Sequence, residues 1–128
     1  MDVVNEFLRY GLRYDKARMY NPIKEHIECA DGFTMSVQAN RNTLDGYIMH
    51  YAVWSSDKWV EVEIGYPRFG DDPWVPLQLY DYTDSDTPKD CGIFGWVPVA
   101  VVEKIIHEHG GMVNNLQITP GSYYRYIY

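Results

Sequence analysis

The sequence has few of the features that disulfide-rich, membrane-spanning, secreted or nucleic-acid-binding proteins require. Its 128 residues contain only two cysteines, Cys29 and Cys91, which are too few for a disulfide framework. No apolar run approaches the ~20 residues that a membrane-spanning helix needs, and no basic stretch followed by an apolar one predicts a secretory signal. The sequence contains eleven Lys and Arg and eighteen Asp and Glu, which gives a net charge of −7. This balance argues against general electrostatic binding of nucleic acid. We expect a small, soluble, acidic domain.

Motifs for metal, phosphate or nucleophilic chemistry are also missing. The chain has no HExxH, no CxxC and no glycine-rich phosphate loop. Glu103 and His107 are four residues apart on a predicted helix, a spacing that can hold a metal. A histidine in the last turn of a helix is, however, also favoured by the helix dipole. We expect no metal, no cofactor and no enzymatic activity.

The two cysteines do not predict a nucleophile. Cys29 lies on a strand face that the pattern predicts to be buried, which favours a packing role. Cys91 follows Asp90, and a neighbouring carboxylate raises the pKa of a thiol.

Aromatic residues, by contrast, are abundant. Twelve tyrosines and four tryptophans exceed what one small core normally holds. Tyr and Trp combine apolar area with a polar tip, so they suit half-buried surfaces and interfaces. A β-rich sheet would also favour them. Both explanations stay open.

Hydrophobic periodicity predicts an α+β domain over residues 1–121, with a tyrosine-rich strand or tail over 122–128. Two helices, 2–13 and 98–109, accompany a mostly antiparallel sheet of five to six strands. Four of the expected strands are the arms of two hairpins, 24–39 and 47–66, and the others are drawn from short segments at 77–82, 92–97 and 112–119. Pro67 is expected to end the second hairpin, and Gly110 and Gly111 the second helix.

Alternation within these elements predicts which residues form the core. Thr34, Ser36 and Gln38 are expected on a wet face. In the second hairpin, Val60, Val62 and Ile64 alternate with Trp59, Glu61 and Glu63. The expected core places one face of the second helix against the two hairpins; its residues are Val99, Val102, Ile105, Ile106, Met35, Val37, Val62 and Ile64.

Acidic residues are concentrated in the middle of the chain. Residues 61–90 carry a net charge of −6, nearly the whole charge of the protein. The stretch is interpreted as a solvated loop, as a surface for a basic partner, or as a calcium site at Asp81, Asp84 and Asp86 that lacks the EF-hand pattern. The predicted partner-binding residues are Asp71, Asp72, Trp74, Tyr80, Asp81, Tyr82, Asp84 and Asp86.

The C-terminal tyrosines form a second candidate contact. Four of the last residues, Tyr123, Tyr124, Tyr126 and Tyr128, favour β geometry. Such a strand would finish the sheet of its own domain or contact a second copy. A homodimer through this tail is therefore one expectation.

Two stretches carry a resemblance. DGFTMSVQA (31–39) and GWVPVAVVEKIIHEHGG (95–111), with VEVEIGYP (60–67) between them, resemble a family of small proteins encoded in bacteriophage and prophage genomes. The likeness covers roughly residues 25–111, and the chain departs from the family pattern over Asn40 to Gly46. The family has no assigned activity, so the resemblance implies no catalytic residue. It implies a small accessory protein in the cytoplasm of a bacterial host.

Such a context favours function through binding. The first expectation is a non-enzymatic inhibitor that blocks a host defence or regulatory protein through its acidic, aromatic surface, without direct contact to nucleic acid or membrane. The alternative is a protein that sequesters a nucleotide signal in a pocket of arginines and aromatic faces, drawn from Arg9, Arg13, Arg18, Arg41, Arg68 and Arg125. A small enzyme that depends on Glu103, His107 and His109 is a second alternative.

Overall fold

One long strand organises the sheet. The structure, a computed structural model, describes residues 2–10, 26–41, 48–83 and 92–113. Within these ranges lie two α-helices, eight strands and one 3-10 helix: α1 (Val3–Tyr10), β1 (Ile27–Glu28), β2 (Phe33–Gln38), β3 (Asn40–Arg41), β4 (Ile48–Met49), β5 (Val53–Ser55), β6 (Lys58–Phe69), β7 (Asp72–Pro73), the 3-10 helix (Leu77–Tyr82), β8 (Ile93–Pro98) and α2 (Val99–Glu108).

The predicted α+β class and antiparallel sheet are confirmed. Strand β6 pairs antiparallel with β2, β5, β7 and β8, and β1 joins the outer side of β2, so that six strands form one sheet. A separate two-stranded ladder joins β3 to β4. No helix in the described ranges is long and apolar enough to cross a membrane.

The first hairpin turns where Asp-Gly predicted it. Gly32 has φ +94°, a conformation that glycine adopts without a steric penalty. The Asp31 carboxylate accepts a hydrogen bond from the Phe33 N–H at 3.0 Å and fixes the turn. The expected wet face of β2 is wrong in part, since Ser36 and Gln38 are buried. Their burial is tolerated because the Gln38 amide donates to the Ser36 hydroxyl at 2.9 Å.

Two bulges correct the predictions for β6. Thr34 pairs with Arg68 and Ser36 with Gly65, so that Tyr66 and Pro67 together oppose one residue of β2. A bulge accepts a proline, because the missing N–H falls where the ladder is interrupted. The strand therefore continues through Pro67 to Phe69 instead of ending there.

The second bulge lies at the other end of β6. Val53 pairs with Glu61 and Trp54 with Trp59, which leaves Val60 as the extra residue. The alternation reverses at this point: Trp59, expected on the face opposite Val60, Val62 and Ile64, is buried, and Val60 is only half-buried.

Residues 77–82 form a 3-10 helix, so the predicted short strand is wrong. The Leu79 N–H donates to the Pro76 carbonyl at 3.0 Å, and Leu79 is the residue of this helix that is buried. The alternating apolar residues of LQLYDY mimic a strand. With three residues per turn, however, Leu77 and Leu79 point in different directions.

The core lies between the sheet and the two helices. All eight core residues predicted from α2 and the hairpins are buried in one cluster, which also includes Val4, Phe7 and Leu8 of α1.

Pro98 precedes α2 instead of opening it, and Gly110 and Gly111, both at φ +91°, follow the helix as predicted. Asp2 caps α1 by accepting the Asn5 N–H at 2.7 Å. Of the segment 112–119 the structure describes Met112 and Val113, and Met112 bridges to Cys29; residues 11–13 and 122–128 lie outside the described residues.

Candidate interaction surface

The predicted partner-binding residues within 71–82 follow β6 along the chain, and the 3-10 helix among them contacts β8. We call residues 71–82 the acidic segment. Asp71, Asp72 and Asp81 are exposed. Trp74 and Tyr80 keep 44% and 40% of their surface exposed, whereas Tyr82 is half-buried against the core. Asp84 and Asp86 lie outside the described residues.

Buried residues anchor the acidic segment to the domain. Val75, Pro76 and Leu79 face inward. The Trp74 N–H donates to the Pro67 carbonyl at 3.0 Å, and the Gln78 amide donates to the Glu108 carboxylate of α2 at 2.7 Å. These contacts fix the backbone that displays the acidic and aromatic side chains.

Trp74 rests on a cluster of aromatic rings. Its ring meets Phe33, Phe69 and His109 edge to face, with centroid distances of 5.8, 5.3 and 5.2 Å. His109 stacks on Phe33 at 4.4 Å and lies 2.7 Å from an Asp31 carboxylate oxygen through Nδ1. Trp74 is therefore oriented from one side and open on the other, as an anchoring aromatic at an interface would be.

The pKa of Asp31 reflects this position. Partial desolvation acts to raise it, but hydrogen bonds from the Phe33 N–H and from His109 outweigh that effect and hold the pKa of Asp31 below its ordinary value.

Sequence reasoning missed Leu77. Its side chain is 78% exposed, the highest value among the exposed large apolar residues of the described ranges. The strand interpretation placed Leu77 and Leu79 on one face; the 3-10 helix separates them. Leu77 adds an apolar contact to a segment otherwise marked by Trp74, Tyr80 and the aspartates.

A second group of exposed aromatic residues was also missed. Tyr51, Tyr66 and Trp96 are 52%, 56% and 52% exposed, and we call these three residues the aromatic strip. The Tyr51 and Trp96 rings lie 4.9 Å apart. The available sequence signal was the pair Gly92 and Gly95 on either side of two apolar residues, which leaves room for large rings on that strand.

The Glu103 side chain serves packing of the helices. Its Oε1 accepts the Val4 N–H of α1 at 2.8 Å. Burial raises the pKa of Glu103, and the neighbouring Asp2 adds to the effect. His107 is exposed in the last turn of α2. Within the described ranges no three His, Cys, Asp or Glu side chains lie close enough to hold a metal ion.

Cys29 is buried, as its strand position predicted, and burial raises the pKa of its thiol to about 11. A thiol with this pKa is almost fully protonated at neutral pH, which suits packing and not nucleophilic chemistry. Cys91 lies outside the described residues.

Two cavities contain arginines named in the nucleotide hypothesis. A cleft of about 220 Å³ between α1 and the β5–β6 hairpin is lined by Arg9, Lys58, Trp54, Trp59, Asn5, Leu8 and Asp57. An open groove of about 500 Å³ is lined by Arg68, His26, Glu28, Gly32, Thr34, Gly70 and Asp71. Burial, followed by the charge of Arg68, lowers the pKa of His26. Carboxylates line both cavities.

No protein-family model, curated protein or solved structure matches the chain.

Proposed function

We propose that the protein is a non-enzymatic binding protein of the bacteriophage accessory type, which inhibits a host defence or regulatory protein in the bacterial cytoplasm. Its acidic segment docks on a basic surface of that partner. The observation that carries the proposal is the exposure of three large apolar side chains, Trp74, Tyr80 and Leu77, among the exposed Asp71, Asp72 and Asp81. Aromatic anchors surrounded by charge are typical of interface hot spots.

Preorganisation supports this function. Binding costs less when the contact residues are already fixed, because less conformational entropy is lost. Here Leu79 is fully buried, and Trp74 is held by the Pro67 carbonyl and by three aromatic neighbours. The segment therefore presents its anchors in one arrangement before the partner arrives.

Electrostatics supports a basic partner. The net charge of −7 attracts a positive surface over about one Debye length, ~8 Å at physiological salt. The exposed aspartates at 71, 72 and 81 concentrate part of that charge beside the anchors. Such charges mainly accelerate association, whereas buried anchors mainly slow dissociation.

The experiment compares two triple variants with the wild type. The tagged protein is first used to isolate its partner from a lysate of the bacterial host. Stopped-flow kinetics with the purified partner then measure the association rates. Asp71→Asn/Asp72→Asn/Asp81→Asn should lower the association rate about tenfold at low salt and flatten its salt dependence. The control, Glu6→Gln/Glu28→Gln/Asp57→Asn, removes as much charge at exposed positions outside the acidic segment and should change the rate less than about threefold.

The anchors are tested separately. Trp74→Ala and Leu77→Ser should raise the dissociation rate, with a loss of about 2 kcal/mol for a true hot spot. Equal effects of the two triple variants, together with unchanged dissociation in Trp74→Ala, would exclude the acidic segment as the docking surface.

The nucleotide-binding alternative rests on the cleft beside α1. Arg9 and Lys58 there supply positive charge, and Trp54 and Trp59 supply aromatic faces. At about 220 Å³ the cleft is smaller than the ~300–1,000 Å³ of typical ligand sites, and Asp57 opposes a phosphate. Calorimetry with cyclic and linear nucleotides distinguishes the two functions: tight binding that Arg9→Gln abolishes, with no protein partner isolated, would replace the docking proposal.

A further inference from the structure

Two glycines, Gly92 just before β8 and Gly95 within it, make room for two rings of the aromatic strip. A Cβ atom at Gly92 would lie 2.5 Å from Cε1 of the Tyr66 ring, and one at Gly95 would lie 3.0 Å from the Tyr51 Cβ. Both tyrosines thus occupy space that a side chain on β8 would otherwise fill. Trp96 continues the row, with its ring 4.9 Å from that of Tyr51.

Backbone strain is concentrated at the aromatic strip. Tyr66 and Trp96 have φ of +50° and +52°, and His50, next to Tyr51, has φ of +70°. Each such non-glycine residue is strained and persists only where its surroundings impose it. Two main-chain hydrogen bonds impose it here: the Tyr66 N–H donates to the Gly92 carbonyl at 2.6 Å, and the Trp96 N–H donates to the Tyr51 carbonyl at 2.8 Å.

Core packing does not account for this strain. The left-handed conformation at Tyr66 and Trp96 turns their rings outward, where more than half of each side chain stays exposed. Both residues lie at β-bulges, Tyr66 opposite Met35 and Trp96 opposite Glu63, where glycine would adopt the left-handed conformation without strain. Strain that displays a large side chain to solvent is the kind that accompanies recognition.

The charge around the aromatic strip favours a cationic ligand. The aromatic strip lies on residues 48–55, 61–66 and 92–98. These segments contain Glu61 and Glu63 but no lysine or arginine. Glu63 lies directly beneath the strip, where its carboxylate accepts the Tyr51 N–H at 3.1 Å and lies 3.8 Å from His50. These neighbours hold the pKa of Glu63 below its ordinary value, so the carboxylate is ionised at neutral pH. Aromatic faces attract cations, and arginine most often.

We propose that the aromatic strip of Tyr51, Tyr66 and Trp96 is a second binding surface, which receives arginine or lysine side chains of a basic partner polypeptide. The guanidinium or ammonium group lies over the exposed rings, near the carboxylates of Glu61 and Glu63. The inference rests on the proposed function only for the sign of the partner's charge. The aromatic strip and the acidic segment have no residue in common. A second copy of this chain is disfavoured, because symmetric contact would oppose like charges.

The test uses a defined probe in place of the natural partner. A glycine–serine peptide with four spaced arginines is titrated into the isotopically labelled protein at about 0.1 M salt, where contacts beyond ~10 Å are screened. The control peptide replaces each arginine by citrulline, which keeps the shape and removes the charge. The expected amide shifts cluster at residues 50–51, 63–66 and 92–97, and the citrulline peptide binds at least tenfold more weakly.

Variants assign the binding to the rings. Tyr51→Ala/Trp96→Ala should weaken the arginine peptide about tenfold, which corresponds to ~1.4 kcal/mol. Trp96→Phe should keep the affinity within about threefold, since it retains a ring. Trp96→Gly removes the ring and also relieves the positive φ, so it should bind weakly yet fold at least as stably as the wild type.

Three outcomes would overturn the proposal. Equal binding of the arginine and citrulline peptides would exclude a cation site. Shifts confined to residues 71–82, lost in Asp71→Asn/Asp72→Asn/Asp81→Asn, would move the contact to the acidic segment. A dimer mass by light scattering that Trp96→Gly abolishes would assign the strip to self-association. Loss of arginine-peptide binding in the ring variants, with unchanged binding in Asp71→Asn/Asp72→Asn/Asp81→Asn, would support the aromatic strip as the site of the contact.

Discussion

The side-chain amide of Asn5 forms two hydrogen bonds with the main chain of Trp59. Its Oδ1 accepts the Trp59 N–H at 2.7 Å, and its Nδ2 donates to the Trp59 carbonyl at 2.9 Å. Asn5 is buried, and the same amide also contacts the Asp2 carboxylate that caps α1. One side chain thus joins the first turn of α1 to the start of β6, as a neighbouring strand would.

We expect Asn5→Ala to destabilise the domain by about 3 kcal/mol. The substitution leaves a buried N–H and a buried carbonyl of Trp59 without these partners, and each unsatisfied group costs ~1–3 kcal/mol. Urea unfolding measures the loss. Glu6→Ala, at the adjacent exposed position of α1, should change stability by less than ~0.5 kcal/mol. A loss below ~1 kcal/mol in Asn5→Ala would show that water replaces the amide.

The core residues of α2 allow a second prediction. Ile105 is fully buried, so Ile105→Ala should cost ~2–5 kcal/mol because it opens a cavity. Lys104→Ala, one residue earlier and exposed, serves as the control and should be nearly neutral. A loss under ~1 kcal/mol in denaturant unfolding of Ile105→Ala would contradict the packing of α2 on the sheet.

Much of the fold was predictable because its signals are local. Alternation in FTMSV identified β2, the periodic apolar residues of 99–106 identified α2, and Asp31-Gly32 identified the first turn. The two bulges were not predictable, because a bulge reverses the alternation without changing the composition of a strand. The burial of Trp59 and the continuation of β6 through Pro67 both follow from such bulges.

The candidate surfaces were predictable only in part. Charge and aromatic content singled out the acidic segment, and the structure places its described aspartates on the surface. The exposure of Leu77 depends on a 3-10 helix whose sequence alternates like a strand. The aromatic strip depends on positive φ angles at Tyr66 and Trp96, which long-range hydrogen bonds to Gly92 and Tyr51 impose. The glycines at 92 and 95 are a local signal for the strip, but they do not specify which distant residues make those contacts.

A matched pair of glycines after α2 gives a third prediction. Gly110 and Gly111 both have φ of +91°, so alanine at either position is strained. A Cβ at Gly110 would also lie 2.9 Å from the Ala30 Cβ, whereas one at Gly111 would have no atom of the described residues within 4 Å, its chain neighbours aside. Gly110→Ala should therefore be less stable than Gly111→Ala by about 1 kcal/mol or more in thermal or urea unfolding. Equal losses would mean that the turn 29–32 moves aside freely.

The fourth prediction concerns pH and two carboxylates whose pKa values shift in opposite directions. Burial raises the pKa of Glu103 above 4.5, so the folded state disfavours its charged form at neutral pH. Glu103→Gln keeps an oxygen for the Val4 N–H and removes that penalty. It should raise the midpoint of thermal unfolding at pH 7, and the difference should vanish as the pH falls below about 4, where wild-type Glu103 is itself neutral.

Asp31 provides the contrast with opposite sign. Its pKa is held below 3.8 by the Phe33 N–H and His109, despite partial desolvation, so its charge stabilises the folded state above that pH. Asp31→Asn should therefore lower the thermal midpoint at pH 7, and its deficit should shrink as the pH falls through the folded-state pKa of Asp31. Thermal unfolding of both variants between pH 3 and 7 makes the comparison. If both substitutions move the thermal midpoint at pH 7 in the same direction, the two carboxylates do not have opposite environments. The expected difference arises because burial dominates at the helix contact of Glu103, whereas hydrogen bonding dominates in the turn at Asp31.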